Sequence, residues 1–391
     1  MYEVRKIERC EFDAAIKLSE YAFKYVLDGE KRAERERFME DHCIFGAYYQ
    51  GVMVAKLHVI PHVVLLEGKE YSMGGVASIS TYPEHRRRGL VHRLMREAEL
   101  AMRESGQLLS YLHPFDIGFY RRYGYELLND LKKATVMRQD LFHYHGIPGQ
   151  VQRINPMENI GNLNLVYHQF AAKYSGMLVR SDKWWHFTKF NNAIFALYFN
   201  AAGEPRGYLQ YQVSGEVLQV EEYVYLDEES RRGLWNFIAN HDSMVAKVEI
   251  TLVGPETMPF LWKNPAVKME VMTDFMGKVV MVKEFLEQYL VSKQVSLTLG
   301  VRDKSAPWNN GLFAISPQGV DFSAQEASSL EGACQQVDGL CMDINSFTAV
   351  FLGSQRPEFL HESGLICGSE RALKVLQALV PKKPCAFLDY F

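Results

Sequence analysis

A short arginine-rich segment between a strand and a helix limits most strongly what this chain can fold into. The segment is Arg86, Arg87, Arg88, Gly89 and Leu90. It follows a strand-like run at residues 76–81 and precedes an apolar stripe at helical spacing, Leu90, Leu94, Ala98 and Met102. A helix N-terminus presents unpaired N–H groups and partial positive charge, Gly89 lets the backbone approach closely, and arginines add charge-assisted hydrogen bonds. The junction therefore predicts a phosphate site, with three arginines on a solvated helix start as the alternative.

The order of elements around this junction predicts a mixed α/β unit. Alternation predicts a strand at residues 2–8, and apolar residues at helical spacing predict a helix over residues 12–26. Three strand-like runs follow at residues 44–49, 52–59 and 63–66, with hairpin turns at 50–51 and 67–69. A buried strand at 108–112 comes after the helix that starts beyond Gly89. The chain has neither a G-x-x-x-x-G-K-[ST] loop nor a G-x-G-x-x-G fingerprint, so the arginine-rich segment is neither a Walker loop nor a dinucleotide-binding fingerprint.

Residues 147–281 are predicted to be a diverged copy of this unit, with chance similarity as the alternative. A linker at residues 145–149 leads to a strand at 151–154, a helix at 163–174 and a meander at 195–199, 207–213 and 217–224. Residues 231–234 repeat the sequence Arg-Arg-Gly-Leu, and a helix to about residue 244 and a strand at 247–253 follow. Three acidic residues stand before this repeat and repel phosphate: Asp227, Glu228 and Glu229. We expect no phosphate-bearing cofactor there.

A third region begins near residue 282. Its pattern predicts a helix at 285–290, strands at 295–301 and 311–315, and helices at 344–351 and 370–379. The chain then ends on an aromatic-rich segment without a polar tail, residues 386–391. The expected units are therefore residues 1–146, 147–281 and 282–391.

A second motif lies downstream of the arginine-rich segment: Phe119, Tyr120, Arg121, Arg122, Tyr123, Gly124 and Tyr125. Acyl transfer from a thioester to an amine requires an acid for the leaving thiolate. A tyrosine with pKa ~10 can protonate a thiolate whose conjugate acid has pKa ~8.5, if it is held close. Taken alone, Tyr120 fits a packed aromatic better, because the chain has 21 tyrosines.

Together the strand, the R-R-R-G-L segment, the helix, the next strand and F-Y-x-x-x-G-Y resemble the Gcn5-related N-acetyltransferase superfamily. The chain is most similar to acetyltransferases of the enhanced-intracellular-survival (Eis) type. That resemblance implies tandem acetyltransferase folds, the second degenerate, followed by an α+β domain similar to sterol carrier proteins. The run at residues 343–353 is similar to a sterol-carrier segment.

The resemblance implies specific roles for residues of this sequence. The main chain of Ile79 and Thr81 would pair with the pantetheine arm of acetyl-CoA. The pyrophosphate would be held by Arg86, Arg87, Arg88, Gly89 and Leu90. Tyr120 would be the general acid, and His113 would lie at the substrate pocket.

The resemblance also implies that the C-terminus of the chain takes part in the active site. The carboxylate of Phe391 would serve as the base or its anchor, although a free α-carboxyl has pKa ~3.5 and is a poor base unless desolvated. A frayed terminus is the alternative. Asp389 would attract a cationic acceptor or be a solvated surface acid. Trp184 would line the substrate cleft or belong to the core.

The resemblance further implies a primary amine acceptor, of the aminoglycoside or polyamine kind or a protein lysine, and a hexamer. A lipid- or ligand-binding protein that works through its third domain is the alternative function. The net charge of −4 argues against nucleic acid as a partner. We expect a cytoplasmic protein without a membrane partner, because the N-terminus has no apolar leader and the six cysteines fit reduced buried thiols. His58 with His62, and His143 with His145, are spaced like metal pairs but lack a carboxylate partner, so no metal is expected.

Overall fold

The structure, a computed structural model, describes residues 1–190, 193–254, 258–291 and 294–391. Within these ranges the strands form a sheet of twelve and a sheet of five. The strands are β1 (Tyr2–Lys6), β2 (Cys43–Tyr49), β3 (Val52–Leu66), β4 (Lys69–Thr81), β5 (Leu109–Leu112), β6 (Glu126–Met137), β7 (Gln150–Ile154), β8 (Ile194–Phe199), β9 (Pro205–Ser214), β10 (Val217–Tyr225), β11 (Lys247–Val253), β12 (Lys268–Val279), β13 (Leu297–Arg302), β14 (Gly311–Ser316), β15 (Gly319–Ala324), β16 (Leu340–Asp343) and β17 (Ile366–Gly368).

The helices surround these two sheets. They are α1 (Phe12–Phe23), α2 (Gly29–Met39), α3 (Leu90–Glu104), α4 (Ile117–Arg121), α5 (Ile160–Ala171), α6 (Asp182–Trp184), α7 (Glu228–Ala239), α8 (Val282–Tyr289), α9 (Leu330–Gln336), α10 (Ile344–Leu352), α11 (Pro357–Glu362) and α12 (Glu370–Leu379). No helix in the described ranges has the length and apolar character needed to cross a membrane.

The first half of the large sheet is an antiparallel meander from β1 to β4, and β4 then pairs in parallel with β5. Both predicted hairpin turns are confirmed, since Gln50–Gly51 and Glu67–Gly68 have the positive φ values that a tight hairpin requires. The two runs predicted at 52–59 and 63–66 form one strand instead. Pro61 does not interrupt β3 because it lies beyond Val59, the last residue paired with β2.

The second half of the large sheet repeats this order. Strands β7 to β10 form an antiparallel meander, and β10 pairs in parallel with β11. Helix α7 connects β10 to β11 as α3 connects β4 to β5. The prediction that residues 147–281 copy the first unit is confirmed in the order of their elements.

The two halves exchange one strand each, which the sequence did not suggest. The order across the middle of the sheet is β5-β12-β6-β11. Strand β12, from the second half of the chain, pairs with β5 and β6, and β6, from the first half, pairs with β11. The large sheet is therefore continuous across the expected boundary at residue 146, whereas the boundary at residue 281 falls after β12 and separates the large sheet from the sheet of five.

The third unit packs on the first through a shared core. Its five strands have the order β15-β14-β13-β16-β17. Tyr71 of β4 lies 5.6 Å, ring centre to ring centre, from Phe285 of α8. After α12 the chain returns to the large sheet, where the amide of Ala386 donates to the carbonyl of Ser175 at 2.9 Å.

All six cysteines are free, but Cys10 and Cys367 are exposed, so the expected burial of the thiols holds only in part.

Candidate active site

The arginine-rich segment forms the entry to helix α3. Gly89 is the residue before the helix and has φ 71°, a left-handed conformation that glycine adopts without strain. The three arginine side chains are exposed, and a Cβ built on Gly89 would meet no heavy atom within 4 Å. The segment thus presents free backbone and positive charge to open space, as a phosphate site requires.

Strand β4 offers an open edge beside this segment. It pairs with β5 only from Met73 to Gly75, and in the described chain its β5-facing edge carries no strand beyond that point. A bulge follows, because Ser78 and Ile79 together face the single residue Leu57 of β3. The buried hydroxyl of Thr81 has no hydrogen-bond partner among the described residues. An extended arm that ends in phosphates fits this edge, since it could pair with the backbone of Ile79 and Thr81, where the carbonyl of Thr81 accepts only a long hydrogen bond of 3.3 Å from Arg86.

A cleft of about 1160 Å³ opens from this edge, and both halves of the large sheet line it. Five of the predicted site residues lie in its wall: Ile79, His113, Tyr120, Trp184 and Phe391. The arginine-rich segment and Thr81 lie outside the wall. The structure therefore brings together the residues predicted for acyl transfer and acceptor binding.

Tyr120 projects into the cleft from α4, a short helix. Asp116 starts this helix by accepting a hydrogen bond from the amide of Phe119 at 2.5 Å. Only 3% of Tyr120 is exposed, and its ring packs on Phe115 and Phe119. Burial raises the pKa of Tyr120 above its ordinary value. The hydroxyl therefore stays protonated throughout the neutral range.

The C-terminus is docked in the cleft rather than frayed. The ring of Phe391 lies 5.1 Å from that of His62 and 6.2 Å from that of Trp184. A Cβ on Gly75 would come within 2.8 Å of the Phe391 ring, so glycine at that position makes room for the terminus. The last residue of the third unit is thus held against the central strands of the first.

Asp389 is placed differently from the expectation. It is 1% exposed and absent from the cleft wall, so it is neither a solvated acid nor a free charge for a cationic acceptor. Its carboxylate accepts hydrogen bonds from Arg180 at 2.9 and 3.1 Å and from the indole of Trp184 at 2.7 Å. Burial alone would raise its pKa, but the charges of Arg180 and Lys189 outweigh burial and hold the pKa of Asp389 below its ordinary value.

The comparisons with known proteins agree with this geometry. Family models described as "Acetyltransferase (GNAT) domain" match residues 3–128 and 176–281, and one described as "Sterol carrier protein domain" matches residues 282–387. The chain belongs to the GNAT acetyltransferases. It is an N-acetyltransferase, and GNAT domains use acetyl-CoA.

Relatives and solved structures resemble this GNAT protein over about half to all of its length. It is 22% identical over 348 residues to an uncharacterised N-acetyltransferase of Streptomyces avermitilis, and the aligned residues cover 82% of this chain and 81% of the relative. It is 25% identical over 205 residues to N-acetyltransferase Eis of Mycobacterium tuberculosis, covering 48% of this chain and 49% of Eis. A conserved protein of Enterococcus faecalis shares the fold over the full length of both chains, with a TM-score of 0.92 and 24% identity.

The second GNAT unit uses its Arg-Arg-Gly-Leu sequence differently. Asp227 caps α7, so the helix begins before the arginines and places them within its first turns. Arg231 is 2% exposed and pairs with Glu228 at 2.7 Å, and Arg232 pairs with the same carboxylate. The side chain of Tyr198 fills the space beside Gly233. The arginines of this GNAT unit are engaged internally, in contrast to the exposed arginines before α3.

Sequence reasoning missed one polar cluster of this GNAT protein, in which His42, His58 and Ser78 line the cleft and Lys56 lies behind them. Lys56, His58 and Ser78 are buried or half-buried on β3 and β4, with His42 beside them just before β2. A lysine within the apolar run at residues 52–60 was the available signal. No group of three or more metal-ligating side chains occurs in the part of the chain that the structure describes.

Proposed function

We propose that this chain transfers the acetyl group of acetyl-CoA to a primary amine bound in the cleft of the first unit. Arg86, Arg87, Arg88, Gly89 and Leu90 would hold the pyrophosphate, and the main chain of Ile79 and Thr81 would hold the pantetheine arm. The observation that carries this proposal is the cleft that starts at the open edge of β4 and has both Tyr120 and Phe391 in its wall.

Tyr120 is the proposed general acid. Bound acetyl-CoA supplies an activated thioester, and the amine's attack releases a thiolate that needs a proton. The raised pKa of Tyr120 keeps this proton in place before the reaction. Complete transfer to a thiolate, whose conjugate acid has pKa ~8.5, is uphill, so Tyr120 acts first by donating a hydrogen bond to the sulfur.

The C-terminal carboxylate of Phe391 is the proposed base that faces the acceptor's ammonium group. The ring of Phe391 lies among the aromatic rings of His62, Trp184 and Phe275, which would shield the carboxylate beside it from part of the solvent. Desolvation strengthens a carboxylate as a proton acceptor and also strengthens its attraction for an ammonium ion.

The cleft suits an acceptor larger than a simple amine. Ligand sites commonly span about 300–1,000 Å³, and this cleft reaches about 1160 Å³. Its wall holds two carboxylates besides the terminus that are not buried in the ion-pair network, Glu34 and Glu221, and many aromatic rings. These carboxylates can pair with ammonium groups, although Lys31 and Arg35 lie in the same wall, and the rings can stack on an acceptor, which supports an aminoglycoside or polyamine acceptor ahead of a protein lysine.

The lipid-binding alternative has less support. The cavity found in the third unit measures about 250 Å³ and includes Arg356, Lys382 and Lys383 in its wall. It is too small and too polar for a sterol or a fatty acid.

From the resemblance we also propose that the protein forms a hexamer and works in the cytoplasm.

Release of free CoA thiol from acetyl-CoA, followed across a panel of amines, tests the proposed function. We expect thiol release that depends on an added amine, and an acetylated amine in equal amount by mass spectrometry. Thermal stabilisation by fatty acids without amine-dependent thiol release would support the lipid-binding alternative instead.

A further inference from the structure

Lys56 is a buried lysine without a counter-ion. It lies in β3, is 0% exposed, and pairs with no carboxylate in the described ranges. Lys278 is equally buried, but it lies 2.6 Å from the carboxylate of Glu99 and 3.2 Å from that of Asp303. A buried charge without a partner is costly, so Lys56 is held as the neutral amine in the resting protein. Burial, and then the charge of Arg35, lower the pKa of Lys56 well below its ordinary value.

Two histidines connect this amine to the cleft. The Nζ of Lys56 lies 3.0 Å from Nε2 of His58, and Nδ1 of His58 lies 3.3 Å from Nδ1 of His42. His58 and His42 both belong to the cleft wall, whereas Lys56 lies behind it. The chain His42–His58–Lys56 therefore runs from the acceptor cleft into the sheet, and His58 uses both ring nitrogens in it.

The contacts of Lys56 match those of a neutral amine. Its Nζ lies 3.0 Å from the carbonyl oxygen and 2.7 Å from the hydroxyl oxygen of Ser78. A neutral amine donates two hydrogen bonds and accepts one, so it can donate both to Ser78 and accept the Nε2 proton of His58. After protonation it would donate three, to the same two oxygens and to a deprotonated Nε2 of His58. All hydrogen bonds of Lys56 are therefore made in both protonation states, provided that His58 and His42 each change from one tautomer to the other.

The bulge in β4 creates this arrangement. Ser78 has φ 53°, which an L-residue adopts only under constraint, and this conformation accompanies the placement of both its oxygens on Lys56. The hydroxyl of Ser78 lies 3.2 Å from that of Ser19. The next residue, Ile79, lies on the strand edge proposed for the pantetheine arm. The strained residue thus stands between the relay and the place where the thioester would arrive.

The groups around the relay keep it unprotonated at rest. Burial is the largest cause that lowers the pKa of His42. His62 of β3, Lys183 of α6 and Arg35 of α2 lower it further and Asp41 raises it, and the resulting pKa of His42 is about 3. Burial, Lys56 and His42 lower the pKa of His58 well below its ordinary value. A neutral relay has a free lone pair at its cleft end, and its lowered pKa values mean that it holds an accepted proton only transiently before the proton returns to water.

We propose that His42, His58 and Lys56 form a proton relay that removes one of the two protons lost by the acceptor's ammonium group. The amine nitrogen gives a proton to Nε2 of His42, Nδ1 of His42 gives its proton to Nδ1 of His58, and Nε2 of His58 gives its proton to Nζ of Lys56. Each histidine gains one proton and loses one, and Lys56 gains a net positive charge.

The relay complements the two groups of the proposed function, on which this inference rests. An ammonium ion loses two protons when it becomes an amide, and a carboxylate holds only one of them. The Phe391 carboxylate takes one and the relay takes the other, while Tyr120 gives a proton to the CoA sulfur. After the products leave, one stored proton restores Tyr120 and the other returns through His42 to water.

The variant Lys56→Met tests the relay, since it keeps the length of the side chain and removes the lone pair. We expect kcat with an aliphatic amine to fall by about 10²-fold, within the range for proton-transfer groups, and the affinity for acetyl-CoA to stay unchanged. Lys69→Met is the control, because it removes an exposed lysine from the adjacent strand away from the cleft, and it should keep the wild-type kcat.

The acidity of the acceptor separates the relay from a merely structural role of Lys56. An alkoxyamine is already neutral near pH 8 and has one proton fewer to lose, so the loss in Lys56→Met should shrink about tenfold or more for this acceptor. Equal losses with both acceptors, or no loss with either, would overturn the relay. If the wild-type protein acetylates neither amine, the proposed function itself fails.

A measurement on the wild-type protein tests the resting state of the relay even if Lys56→Met does not fold. The ¹⁵N NMR spectrum of histidine-labelled full-length protein reports which ring nitrogens carry protons. We expect neutral His58 at neutral pH with its proton on Nε2. A doubly protonated His58, or one with its proton on Nδ1, would mean that the relay is already filled at rest and would overturn the proposal.

Discussion

Arg180 and Asp389 form a fully buried ion pair that fixes the end of the chain. Arg180 belongs to the second unit, and Asp389 lies two residues before the C-terminus. The same guanidinium also donates to Glu222 at 2.5 and 3.0 Å. Through Arg180, the second unit thus holds the terminus of the third unit in the cleft of the first unit. The arginines of its Arg-Arg-Gly-Leu sequence, by contrast, pair within the second unit. The ion pair therefore connects all three units at the proposed site.

Arg180→Met should destabilise the protein strongly. Removing one partner of a buried pair leaves Asp389 and Glu222 with Lys189 as their remaining cation, and such losses cost about 3–5 kcal/mol. Chemical denaturation measures this change in the free energy of unfolding. Lys283→Met is the matched control, since it breaks an exposed pair with Glu287 and should cost at most about 0.5 kcal/mol. Equal effects of the two variants would contradict the importance of the buried pair.

Asp389 should also contribute to the pH dependence of stability. Its pKa is lower in the folded than in the unfolded chain, so its contribution is complete above the unfolded value of about 4. The contribution is lost as the pH falls through the lower, folded value. The difference in unfolding free energy between wild type and Asp389→Asn should therefore be constant near neutral pH and shrink in acid. A difference that grows on acidification would show that the sign is wrong.

Gly89→Val should abolish acetyl-CoA binding and leave the fold intact. A Cβ at this position meets no protein atom, so the valine would project into the space proposed for the pyrophosphate. Its left-handed φ adds strain of about 1–3 kcal/mol, so we also expect a lower melting temperature. Isothermal titration calorimetry checks the affinity. Unchanged affinity in the folded variant would remove the assignment of this segment to the pyrophosphate.

Tyr120→Phe should lower kcat by about 10²–10⁴-fold and leave acetyl-CoA binding unchanged, since the ring's packing is kept and only the proton is lost. Tyr123→Phe is the matched control from the same motif, because Tyr123 is buried but does not line the cleft. Steady-state kinetics with one amine measures both variants. Near-normal turnover of Tyr120→Phe would make Tyr120 a packing residue.

Sequence patterns predicted the elements that local spacing determines. The hairpins after β2 and β3, the helix after Gly89 and the repeated strand order all follow from turn residues and apolar periodicity. The exchange of β6 and β12 could not be predicted in this way, because it depends on pairing between residues far apart in the sequence. Helix α2 was missed because its own residues are mostly charged and form no apolar stripe.

The site was predictable only where a motif carries it. Motifs led to the predictions for Tyr120 and the arginine-rich segment, and aromatic composition with the resemblance led to the prediction of a docked terminus. Lys56 was missed because β3 is buried on both faces, so alternation does not show which way a polar residue points. Asp389 was misplaced because its partner Arg180 is far away in the sequence.

The buried position of Asp389 also changes what a truncation can show. Deleting residues 388–391 would remove the ion pair with Arg180 and the hydrogen bond from Lys189 to the carbonyl of Leu388. We expect this deletion to destabilise the fold, so loss of activity would not identify the carboxylate.

Moving the free carboxylate without removing any side chain is the most direct test of the account. Two forms of the protein, one with an affinity tag after Phe391 and one with the same tag before Met1, are compared by thiol release on one amine. Met1 is fully exposed, so the N-terminal tag should leave turnover unchanged, whereas the C-terminal tag should abolish it. Equal turnover of the two forms would contradict the claim that the chain's own end completes the active site.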